Sequence, residues 1–146
     1  MEKVDVALIS IQFGAEKMDV TAIHHYLSEE SYWARGISLE KVKMSIENAF
    51  CAGAFYQEKQ VGFVRAVTDY ATFAWISDVY ILEEFAGAGI GKKMLSEFFA
   101  QEWFGELRRI MLATKDAHSL YEQFNFTELD KPEMIMQVLN DKFVLL

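Results

Sequence analysis

Residues 76–95 constrain the fold more than any other part of this 146-residue chain. A β-rich run ending in Val79, Tyr80 and Ile81 enters them, and Gly87, Gly89 and Gly91 fill a turn. A helical pattern with apolar Ile90, Met94, Leu95 and Phe98 leaves. Glycines in such a turn let the backbone approach a ligand closely, and the free N–H groups at the helix start carry the positive end of the helix dipole. The chemistry is that of an anion cradle, most simply one for a pyrophosphate. Two familiar phosphate loops do not fit it. A Walker A loop would need Gly at Ala86 and Ser or Thr at Lys93, and a dinucleotide fingerprint would need its third glycine at Lys92.

The order of elements around this stretch narrows the architecture. Residues 4–13 alternate loosely and read as a first strand. Asp19 is placed to cap a short helix carrying Val20, Ile23, His24 and Leu27, and Ser38 to cap a second carrying Leu39, Val42, Ile46 and Ala49. Three strands then follow with short turns between them, over residues 50–56, 61–68 and 71–81. A meander of this kind argues against a Rossmann domain, which would interpose helices. The helix after the glycines is expected to reach about Trp103 and end at Gly105. Residues 108–114 read as a strand buried on both faces and parallel to the 71–81 strand. Asp116 is expected to cap a last helix with Leu120, Tyr121 and Phe124, and Asn125 to take the left-handed position after it. Residues 126–129, 134–139 and 143–145 read as closing strands around Pro132.

Composition supports one globular domain over residues 1–146: 52% of the residues are hydrophobic and 25% charged. Fourteen Lys and Arg against twenty-two Asp and Glu leave a net charge of −8, which repels nucleic acid and, if anything, attracts cations. No apolar run reaches the roughly 18 residues of a membrane span, and the first residues lack a signal-peptide pattern, so a cytoplasmic protein without membrane contact is expected. Cys51 is the only cysteine, which excludes an intrachain disulfide, and no His and carboxylate cluster suggests a metal.

The glycine turn resembles motif A of the GNAT superfamily of N-acetyltransferases, Arg/Gln-x-x-Gly-x-Gly/Ala, with Gly89 and Gly91 at both glycine positions. Ala86 stands at the Arg/Gln position, so a side-chain contact usual in that family is missing. Residues 114–126 resemble the family's later segment, a helix ending Tyr-x-x-x-Gly-Phe, with Asn125 at the usual Gly. The two motifs cover roughly residues 50–139. The fold that this resemblance implies is a mixed α/β one: a mostly antiparallel sheet of six to seven strands flanked by about four helices.

The activity that it implies is transfer of an acetyl group from acetyl-coenzyme A to a primary amine of small size, by direct attack in a ternary complex and without a metal. Cofactor contacts are implied at Val79, Tyr80 and Ile81, at Ala86, Gly87, Ala88, Gly89, Ile90, Gly91 and Lys92, and at Thr114, Ala117 and Tyr121. The cofactor's pantetheine arm would pair along Val79 and Ile81, and the Val79 N–H would stabilise the developing oxyanion. Lys92 and Lys93 oppose the dipole at a helix start, a conflict that an anion would relieve, and Lys92 is the better phosphate contact.

A tyrosine hydroxyl is ordinarily protonated near neutrality, which makes Tyr121 the candidate acid for the leaving thiolate. Asp78, beside Val79, is the candidate proton acceptor, directly or through water. Histidine suits proton transfer near neutrality as well, although a lone His118 on a helix has a plain structural reading. Glu83 and Glu84 read as solvated. Tyr32, Trp33 and Arg35 form an aromatic and basic cluster between the first two helices, where the family shapes its acceptor pocket; packing is the other reading of Trp33. The alternative function is an acyl-coenzyme A-binding or interaction module without catalysis, and a homodimer stays open.

Overall fold

A computed structural model describes residues 3–140. They divide into two compact units after Thr114. In the first unit the chain forms strand β1 (Ile9–Phe13), helices α1 (Val20–His25) and α2 (Leu39–Glu47), strands β2 (Phe50–Tyr56), β3 (Lys59–Thr68) and β4 (Phe73–Ile81), helix α3 (Ile90–Phe99) and strand β5 (Arg109–Met111). The second unit holds helix α4 (His118–Glu122) and a single 3-10 turn, Pro132–Met134.

Local chemistry accounts for the first helices. The Asp19 carboxylate accepts the Ala22 N–H at 3.1 Å, and the Ser38 hydroxyl accepts the Lys41 N–H at 3.2 Å, each satisfying a donor that the first helical turn leaves free. α1 runs on into a π-helical turn, Tyr26–Glu30, which delivers the chain to the connector carrying Tyr32, Trp33 and Arg35.

The five strands lie in the order β1-β2-β3-β4-β5, antiparallel until the last pair, where β4 and β5 run parallel. One face of the sheet packs on α1 and α2 through Ile23, Leu27, Val42, Ile46, Cys51, Phe55, Phe63 and Tyr80. α3 packs against β1 to β4 and buries Ile90, Met94, Leu95 and Phe98; the Phe98 ring stacks on Phe50 at 5.2 Å. Close approach in the sheet depends on Gly62, where a Cβ would stand 2.5 Å from the Ile81 Cδ1.

The mixed α/β architecture is therefore as expected, with five strands among the described residues instead of six to seven. Residues 126–129 and 134–139 carry no strand. Met134, Met136 and Val138 are 70%, 92% and 66% exposed, and none of these residues joins a ladder among the described residues, so apolar character there lacks the pairing that a strand requires. Residues 143–145 lie outside the described residues. The first strand is shorter than expected because Asp5 caps a 3-10 turn at Val6–Leu8.

Further corrections concern ends. α3 stops at Phe99, and Gly105 lies inside a separate 3-10 segment, Glu102–Glu106, whose Phe104 is buried against Phe98. β5 pairs only through Arg109–Met111; Arg109 is exposed and its two neighbours half-buried, so the strand is not buried on both faces. α4 starts at Ala117 without a side-chain cap, Asp116 included. Asn125 does adopt the left-handed conformation, with φ 71°, and the Phe126 N–H returns to the Tyr121 carbonyl at 3.2 Å to close the helix.

Candidate active site

The candidate site in the first unit begins where the two parallel strands part. β5 pairs with β4 only along Phe73–Trp75, so the β5-facing edge of β4 has no ladder from Ile76 to Ile81 among the described residues. Which main-chain groups face that edge follows from alternation. The Leu82 N–H bonds the Val61 carbonyl of β3 at 2.8 Å, and Tyr80 lies opposite Phe63 two residues earlier. Tyr80 therefore points its N–H and carbonyl at β3, and Val79 and Ile81 point theirs at the open edge. The same Tyr80 turns its ring into the core, where it stacks on Tyr26 at 3.8 Å. Burial above all holds the Tyr80 hydroxyl well over its usual range, with Tyr26, Asp19, Glu30 and Asp78 adding to it, so it stays protonated.

β4 runs through a 3-10 turn, Glu83–Phe85, into the glycines. Gly87 and Gly89 have φ of 79° and 83°, a left-handed backbone that other residues adopt only under strain. Gly89 is the N-cap of α3 and has no side-chain cap; a Cβ on it would meet nothing within 4 Å. The Lys93 N–H is the one that closes back on the Gly89 carbonyl, at 3.1 Å. The N–H groups of Ile90, Gly91 and Lys92 therefore precede the first intrahelical bond and are available to an anion. Ala86, Gly87 and Gly89 are exposed, Ala88 and Gly91 half-buried, and Ile90 buried in the core.

The paired lysines divide their work. Lys93 turns inward, donating to the Ile9 carbonyl at 2.6 Å, whereas Lys92 is exposed. A cation that motif reading passes over, Lys3, donates to the Gly87 carbonyl at 3.1 Å and brings positive charge to the turn.

Asp78 sits where the pairing of β3 with β4 shifts by one residue, and its φ is 56°, uncommon for a residue with a side chain. Its Oδ2 accepts from Arg65 Nε at 2.7 Å and its Oδ1 from Trp33 Nε1 at 2.8 Å. The side chain of Asp78 is 7% exposed and that of Arg65 17%. Arg65 was legible in the sequence as the one charge inside an apolar strand, residues 61–67, a signal that the motif reading did not use.

Of the acceptor candidates, Trp33 is thus tied to β4, while Tyr32 lies edge-on to it at 5.0 Å and Arg35 is exposed. Ser31 anchors the same connector, its buried hydroxyl donating to the Leu27 carbonyl at 2.6 Å and accepting the Ala34 N–H at 3.0 Å.

Thr114 closes the first unit and is half-buried. In the second unit Ala117 and Tyr121 are joined by a Tyr121 N–H bond to the Ala117 carbonyl at 3.3 Å. Tyr121 is 7% exposed, and its ring meets Phe126 at 5.9 Å. His118 and Glu83 and Glu84 are exposed.

Residues 47–128 match the Acetyltransferase (GNAT) domain family. The chain belongs to the GNAT family of acetyltransferases. A crystal structure of a provisionally named GNAT acetyltransferase from Xanthomonas campestris pv. campestris is 36% identical to it, with a TM-score of 0.87 over 90% of this chain and 92% of the other. A protein of Gibberella zeae provisionally named an acetyltransferase is 31% identical over 71% of this chain and 70% of its own length. A crystal structure, with acetyl-CoA, of a Clostridium acetobutylicum protein provisionally named an acetyltransferase shares the fold at 12% identity, with a TM-score of 0.65 over 90% of this chain and 96% of the other. As a GNAT acetyltransferase the chain is an acyl-transferring enzyme, and no described helix is long and apolar enough to cross a membrane.

Proposed function

We propose that this GNAT protein transfers an acetyl group from acetyl-CoA to the primary amine of a small molecule, in a ternary complex and as one catalytic domain in the cytoplasm. The observation that carries the reading is the edge of β4 that has no ladder among the described residues, leading through a 3-10 turn and the glycines to a helix start without a side-chain cap. Bound acetyl-CoA supplies a thioester whose carbon the amine attacks, forming a C–N bond as the C–S bond breaks. The chain's part is to bind and polarise. N–H groups from Gly89 to Lys92, with the Lys92 ammonium, hold the pyrophosphate. Val79 and Ile81 align the arm by main-chain pairing, and the Val79 N–H stabilises negative charge on the carbonyl oxygen. By the motif resemblance, Tyr121 is assigned the proton for the departing thiolate, and Thr114 and Ala117 are assigned cofactor contacts; the amine nitrogen gives up its surplus proton to solvent water, from which Tyr121 regains its own. Tyr32, Trp33 and Arg35 shape the acceptor side, and the net charge of −8 favours a cationic acceptor over an acidic one.

The test mixes the protein with acetyl-CoA and a panel of primary amines while free thiol is followed. Thiol release that depends on the amine supports the reading. Calorimetric binding of acetyl-CoA with no release across a broad panel supports a non-catalytic acyl-CoA module, for which the missing side chain at Ala86 is the favouring observation. Absence of binding to any coenzyme A species removes both.

A further inference from the structure

The register shift in β4 has a chemical result at Asp78. Moving the pairing by one residue brings two consecutive side chains onto Arg65: its Nε donates to Asp78 Oδ2 at 2.7 Å and its Nη2 to Ser77 Oγ at 3.4 Å. The second carboxylate oxygen is taken by the Trp33 indole at 2.8 Å. Both oxygens of a nearly buried carboxylate are thus occupied, one by a full cation. Accepting a proton on either would discharge the carboxylate and leave the guanidinium without its counter-charge. Trp33 is also held by its ring, which lies 5.0 Å from Tyr32 and 6.4 Å from Tyr26, and Tyr26 stacks on Tyr80 of β4.

We propose that Asp78 is a positioning residue: it fastens the connector bearing Tyr32, Trp33 and Arg35 to β4 one residue before Val79, and is not the proton acceptor of the reaction. The proposal rests on the acyl-transfer reading in assigning that connector to the acceptor. Its structural half, the Trp33 to Asp78 fastening, stands apart from that reading. Asp78 thus joins the two sides of the site: its carboxylate accepts from Trp33 and Arg65, and its own backbone, at φ 56°, immediately precedes the Val79 N–H.

Two variants of the full chain test it. Asp78→Asn removes the charge while keeping a residue that tolerates positive φ, and Trp33→Phe removes the indole donor while leaving the ion pair intact. Hydrogen exchange of the Trp33 indole N–H, assigned through Trp33→Phe, is expected to be slow in the parent protein and at least about tenfold faster in Asp78→Asn. With 2-phenylethylamine as the acceptor probe, both variants should raise KM by about tenfold at nearly unchanged kcat. The acid limb of the pH profile and the affinity for acetyl-CoA should be retained. A loss in kcat of about 100-fold or more in Asp78→Asn, with a flattened acid limb and unchanged KM, would make Asp78 a base and overturn the proposal. Equal indole exchange in the parent and Asp78→Asn would overturn it too. If the parent protein binds no acetyl-CoA or leaves this amine untouched, the acyl-transfer reading or the probe has failed, and the indole exchange alone decides the fastening. If Asp78→Asn does not fold, the KM of Trp33→Phe decides it.

Discussion

Cys51 is fully buried, lies opposite Arg65 in the sheet, and its thiol is pushed up to about 12 by burial, with Arg65 opposing and Asp78 adding a smaller rise. The thiolate is the reactive form. Native protein should therefore give no colour with Ellman's reagent at pH 8, and one equivalent of thiol once denatured. The same property makes thiol release in an assay a report on coenzyme A alone. At Tyr121 the expected outcome is different in kind: Tyr121→Phe should lower kcat by about 10²-fold while calorimetry finds acetyl-CoA affinity unchanged. At this scale the sequence was legible where chemistry is local. Asp19 and Ser38 cap the helices they precede, and Asn125 takes the left-handed turn, because each acts on backbone within a few residues. The partners of Asp78 were hidden, since Arg65 and Trp33 lie 13 and 45 residues away and meet it only through strand register and a bulge.

Among the elements, the start of α3 carries the most function on the least side chain. Gly89→Ala meets no steric obstacle, yet forces an alanine to φ near 83°, and should cost about 1 kcal/mol or more in denaturant unfolding. It should also weaken acetyl-CoA binding by calorimetry, because relief of that strain would swing the neighbouring N–H groups. The turn between β3 and β4 makes a second case. The Asp69 carboxylate accepts from the Thr72 hydroxyl at 2.6 Å and from the N–H groups of Ala71, Thr72 and Phe73, and these bonds, led by Thr72, hold its pKa well below the usual carboxylate range. A depressed folded-state pKa means stabilisation that is present above the ordinary value near ~3.9 and is lost as pH falls through the folded one. Thermal melts should then show Asp69→Asn less stable than the parent at pH 7, with the gap closing only in strong acid. The ends of elements were harder to read than their existence. Trp103 and Phe104 continue the apolar pattern of α3, but they pack as a separate 3-10 segment, and pattern cannot distinguish the two.

For the whole molecule, the antiparallel meander followed by a helix and a parallel strand was readable from turn chemistry and from the change between periods of two and 3.6 residues. The closing strands were not, because apolar residues 134–139 meet the sequence criterion for a strand while having no described ladder. An acyl-CoA ligand that binds only the folded chain should raise stability by about 2.7 kcal/mol at 100 times its Kd, an increase in Tm of roughly 5–10 °C for a domain of this size. Acetyl-CoA in a thermal-shift series checks this, and no rise with concentration would count against the acyl-transfer reading. The parting of β4 from β5 after Trp75 bears on how such a site tolerates change. What the exposed seam offers is amide hydrogen and carbonyl oxygen, which every residue but proline supplies alike. Alanine scanning along Val79 and Ile81 would therefore pass over the gripping surface, and the identities of those side chains stay at liberty to serve the core.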